Sequence, residues 1–71
     1  MDTEIIKFVV ITYGDTIEYK GENYQVILEK LTTTSLKNAK RIAKRLKQNY
    51  PERKAVIKEK FRGGWKVIAS L

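Results

Sequence analysis

The chain has 71 residues, 42% of them hydrophobic and seven aromatic, which is enough for one small domain spanning residues 1–71. It contains no cysteine and no histidine, so a disulfide framework, a thiol nucleophile and a zinc site of the usual nitrogen and sulfur kind are all excluded. Fifteen Lys and Arg against eight Asp and Glu leave a formal charge of +7, which favours acidic or polyanionic partners.

Residues 5–13 combine β-branched and aromatic side chains and predict a strand with apolar groups on both faces, and so an interior one. Gly14-Asp15 is expected to end it, with a second strand resuming at Thr16. Around Gly21, a type II′ turn with Gly21 and Glu22 at its centre sets Tyr19 opposite Tyr24 and Ile17 opposite Val26. That register gathers Ile17, Tyr19, Tyr24, Val26 and Leu28 into one apolar stripe on a hairpin whose far strand is the third.

The Thr32-Thr33-Thr34-Ser35 run offers several oxygen atoms able to cap a helix N-terminus. After it, Leu36, Ala39, Ile42, Ala43, Leu46 and Tyr50 recur at spacings of three and four and define one helical face. Pro51 restricts Tyr50 and ends the run.

Residues 53–61 and 65–71 predict a terminal hairpin across Arg62-Gly63-Gly64. A three-residue connection opposes Phe61 to Trp65, Glu59 to Val67, Ile57 to Ala69 and Ala55 to Leu71, separating most apolar groups from charged ones. It places Trp65 on the core side, and leaves Lys58, Lys60 and Lys66 on an outer, solvated face. The expected fold is α+β with two layers: a single antiparallel β-sheet packed against one amphipathic helix, in the order β-β-β-α-β-β.

Charge is distributed unevenly. Residues 1–36 carry three lysines and six acids, net −3, whereas residues 37–71 carry twelve basic groups and two acids, net +10. Lys37, Lys40, Arg41, Lys44, Arg45 and Lys47 occupy the polar side of the predicted helix with no acid among them, so like charges meet at i,i+4 where Glu–Lys pairs would ordinarily help. Such a face suits phosphates, whose neutralisation releases counterions. The expectation is a small nucleic-acid-binding or nucleic-acid-associated protein contacting the DNA or RNA phosphate backbone through these six residues. The alternative is an interaction module or inhibitor docking its basic surface on an acidic protein. Lys58, Lys60, Arg62 and Lys66 form a secondary basic patch, and an uncovered part of the sheet offers a homodimer contact.

Catalysis has little to draw on. Only Ser35 and Ser70 supply serine hydroxyls, Glu59 stands alone among lysines, and neither a phosphate-binding loop nor a dinucleotide fingerprint is present. No catalytic residue, metal site or cofactor is expected. Met1, Asp2, Thr3 and Glu4 lack the basic opening of a signal peptide, and the apolar run after them is too short to cross a bilayer, so no membrane association and a cytoplasmic location are expected.

Overall fold

The computed structural model describes residues 5–71; Met1, Asp2, Thr3 and Glu4, considered above for their lack of a basic leader, lie outside them. Four strands and one helix follow in the order β1 (Ile5–Tyr19), β2 (Glu22–Thr33), α1 (Leu36–Asn49), β3 (Ala55–Phe61) and β4 (Gly64–Ser70). The strands form one antiparallel sheet in the spatial order β2-β1-β3-β4, with α1 against one face. This is the expected two-layer α+β arrangement, with β1 interior as its two apolar faces require.

The strand order is corrected from β-β-β-α-β-β to β-β-α-β-β. Gly14-Asp15 does not end the first strand, because irregularities in pairing absorb the pair: register shifts fall between Thr12 and Tyr13 and between Tyr13 and Thr16. Gly14 is buried there, and a Cβ on it would lie 3.0 Å from Leu28 Cδ2, so the glycine permits the close approach of β2. The turn is also displaced. Tyr19 pairs with Glu22 and Ile17 with Tyr24, leaving Lys20 and Gly21 at the centre with φ of 51° and 79°. Two successive positive φ values belong to a type I′ turn, whose twist matches that of the strands it joins.

Beyond Thr12, β1 has no partner in β3, so residues from Tyr13 onward pair only with β2 and extend as a two-stranded arm. The expected stripe lies on this arm as exposed side chains: Ile17, Tyr19, Tyr24, Val26 and Leu28. The helix does not cover them.

Ser35 caps α1, its Oγ accepting a hydrogen bond of 3.3 Å from the Asn38 N–H. At the other end the Tyr50 N–H donates to the Leu46 carbonyl at 2.8 Å, and Pro51 follows. Ala39, Ala43 and Leu46 are wholly buried and meet Phe8, Val10, Ala55 and Ile57 of the sheet. Two alanines one turn apart bring the helix backbone close to the sheet, while full burial of Leu46 contributes roughly 2 kcal/mol. The helix lies over β1, β2 and β3, and β4 falls outside its footprint.

The second correction concerns the terminal hairpin. Phe61 pairs with Gly64, not with Trp65; Lys60 pairs with Trp65, Glu59 with Lys66 and Lys58 with Val67. The connection is the two-residue Arg62-Gly63, with Gly64 at φ +153°. An irregularity between Ile57 and Lys58 then restores the expected pairing of Ile57 with Ala69, and Ala55 bonds Leu71 through both backbone groups. The far end of the hairpin is in the expected register and its turn end is one residue off. Pairing with Lys60 sets the indole on the face away from the helix, where Trp65 is 58% exposed, while Ile68 and Ala69 of the same strand pack against the core.

Candidate nucleic-acid interface

Alternation along each strand, combined with the pairing, assigns side chains to the two faces of the sheet. On β1, Phe8, Val10 and Thr12 face the helix together with their partners Glu59, Ile57 and Ala55 on β3. Lys7, Val9 and Ile11 take the other face beside Lys60, Lys58 and Val56, and beside Thr32 and Lys30 on β2. Trp65 and Val67 extend this open face onto β4 through their pairing with Lys60 and Lys58.

The consequence is a sorting of charge that the local sequence disguises. Glu29 and Lys30 are neighbours in the chain, as are Lys58, Glu59 and Lys60, but each carboxylate turns to the helix side while each lysine turns away. Four lysines therefore surround one depression of about 360 Å³, floored by Val9 and Ile11 and walled by Trp65, with no acid among its lining residues. Ile11 is only 5% exposed although the helix is on the far side. It sits between Lys30 and Val56, and the aliphatic stem of a lysine can cover apolar surface while its ammonium stays in water.

Lys58 organises the site. Its ammonium donates to the Tyr13 hydroxyl at 2.9 Å and lies 4.1 Å from the Trp65 ring centroid. The same two residues, Lys58 and Trp65, also border a second depression of about 560 Å³, which adds Tyr13, Lys54 and Val67 together with the single acid Glu52. Arg53 lines it too, paired with Asp15 at 2.8 Å.

The six helix residues divide. Lys37, Lys40, Arg41, Lys44 and Arg45 are exposed, and no ion pair joins them to an acid among the described residues. The first four border a shallow depression of about 270 Å³. Lys47 behaves differently: it is half-buried and its ammonium donates to the Arg53 carbonyl at 2.9 Å, tying the end of α1 to the segment that leads into β3.

The secondary patch is also divided. Lys58 and Lys60 share the open sheet face, whereas Lys66 opposes Glu59 on the helix side, so the expected neighbourhood of Lys60 and Lys66 does not form. Arg62 stands in the turn. Tyr13 is half-buried and held by Lys58. Sequence reasoning missed Lys7, Lys30 and Trp65 as members of a common surface. The available signal was parity: Lys7 shares a face with Val9 and Ile11, and a two-residue turn at Arg62-Gly63 would have put Trp65 with Lys60.

No group of His, Cys, Asp and Glu among the described residues could hold a metal ion, and no helix among them is long and apolar enough to cross a membrane. The chain matches no protein-family model, no curated protein and no solved structure.

Proposed function

We propose that the protein binds nucleic acid, holding backbone phosphates on the exposed face of α1. The observation that carries this reading is the set Lys37, Lys40, Arg41, Lys44 and Arg45, five cations in water with no acid paired to any of them among the described residues. Like charges at i,i+4 cost the isolated helix a few tenths of a kcal/mol per pair, roughly, and a phosphate backbone offsets that repulsion. Lys47 is excluded from the set because its ammonium is occupied within the fold. Contacts of this kind position a duplex or strand without reading its sequence.

The test is a titration of labelled duplex DNA, single-stranded DNA and RNA at several salt concentrations. The logarithm of affinity should fall linearly with log salt, and the double variant Arg41→Glu, Arg45→Glu should make the slope shallower by about 2 on duplex DNA. The variant's far-UV spectrum should match that of the parent, because both side chains point away from the core. No binding to any of the three at low salt sinks the proposal. Retention on polyglutamate in that case would favour an acidic protein as the partner.

A further inference from the structure

We infer that the open face of the sheet is a second binding site, for single-stranded nucleic acid, in which Trp65 stacks on an unpaired base while Lys7, Lys30, Lys58 and Lys60 meet the phosphates. The inference rests on the nucleic-acid reading above but concerns a different surface. The helix and the open sheet face lie on opposite sides of a slab 14 Å thin in its shortest dimension, so the two sites are separate.

Three observations support the site. Its four lysines surround a depression that no acid lines, and its floor of Val9 and Ile11 is apolar. Trp65, the chain's one tryptophan, is 58% exposed at the wall of that depression. A second depression shares Lys58 and Trp65 with the first, so the aromatic ring borders both.

The chemistry selects the ligand. An indole offers a flat π surface, and unpaired bases present the matching one, whereas those of a duplex are hidden in their own stack. Stacking of a base on an aromatic side chain outweighs an exposed cation–π contact, so an arriving base displaces the Lys58 ammonium, which then turns to a phosphate. An acidic polypeptide would satisfy the lysines but leave the indole without a planar partner. A second copy in a twofold arrangement would set these lysines against their own counterparts, which repel.

Because Trp65 is the single tryptophan, its emission reports on this site alone. Oligothymidylate and oligouridylate of twelve residues should quench it at low salt, with the effect lost as salt is raised, while duplex DNA of the same length should leave it nearly unchanged. By anisotropy of labelled oligonucleotides, Trp65→Ala and Trp65→Leu should each weaken single-strand binding at least tenfold and change duplex binding less than twofold. Trp65→Phe should recover part of the loss. Arg41→Glu with Arg45→Glu should do the reverse, weakening duplex binding and sparing the quenching.

Single-strand binding unaffected by both Trp65→Ala and Trp65→Leu would overturn the site and leave the helix reading intact. Equal quenching by polyglutamate at the same salt would overturn it in favour of an acidic chain. Failure of every nucleic acid to bind would remove both readings together.

Discussion

The Lys58 ammonium lies 4.1 Å from the centroid of the Trp65 ring, although β3 and β4 pair Lys58 with Val67 and not with Trp65. The lysine reaches diagonally across the open face, and its hydrogen bond to Tyr13 fixes the other side of the same ammonium. Lys58→Met keeps the stem and removes the charge. Its expected cost is about 1–2 kcal/mol, because the cation–π contact and the hydrogen bond to Tyr13 are lost together. The near-UV dichroism of Trp65 should weaken as the ring loses its fixed orientation, while the far-UV spectrum stays unchanged. A near-UV spectrum identical to the parent's would show that the ring is held by something else.

Thr12 is almost wholly buried against the helix side, and its Oγ1 has no hydrogen-bond partner among the described residues. A hydroxyl taken out of water without a partner is destabilising, so Thr12→Val should raise stability by about 1 kcal/mol. Urea unfolding checks this: the midpoint should rise with no change in slope. A lower midpoint would mean that the hydroxyl is satisfied in solution.

The β1–β2 turn carries a lysine where the backbone is left-handed, at φ 51°. Asparagine tolerates that conformation better, and Asn-Gly is the favoured centre of a type I′ turn. Lys20→Asn should therefore stabilise the protein by roughly 0.5 kcal/mol, whereas Gly21→Ala should destabilise it by about 1 kcal/mol. No atom lies within 4 Å of a Cβ built on Gly21, so the second effect comes from the backbone alone. Thermal midpoints moving in opposite directions are the expected result.

The Tyr24 hydroxyl donates a 2.6 Å hydrogen bond to Glu22 Oε2. Because the carboxylate stabilises the protonated phenol, and slight desolvation adds to this, the pKa of Tyr24 is raised above the ordinary 10.0. A raised pKa in the folded state contributes stability that is fully present below the unfolded value. That contribution disappears as pH climbs through the folded value, so titration of the phenol removes this contact in alkali, above pH 10. In an NMR titration of the Tyr24 ring, Glu22→Gln should bring the midpoint back toward the ordinary value. An unchanged midpoint would discard the attribution to Glu22.

Much of the fold was legible locally. Leu36, Ala39, Ile42, Ala43 and Leu46 repeat at helical spacing, Ser35 offers a cap and Pro51 a stop, and each of these signals involves residues within a few positions of one another. The class, two layers with one helix on an antiparallel sheet, follows from the same patterns taken in order. The exposure of the helix cations followed as well, except at Lys47, whose partner carbonyl belongs to Arg53 six residues away.

The charge, the helix with its dry and basic sides, and the places of the two hairpins to within a residue at each turn were determined by sequence alone, because hydrophobic period and turn chemistry are short-range. Tertiary structure decided the rest. Pairing with β2 carried β1 through Gly14-Asp15 as one strand, since cross-strand bonds on both sides of an irregularity outweigh a local break. The register of the terminal hairpin decided Trp65: its pairing with Lys60 turns the indole to the open face, while Ile68 and Ala69 of the same strand pack against the core. Periodicity can say that Trp65 shares a face with Val67, but only the packed layers determine which face is dry.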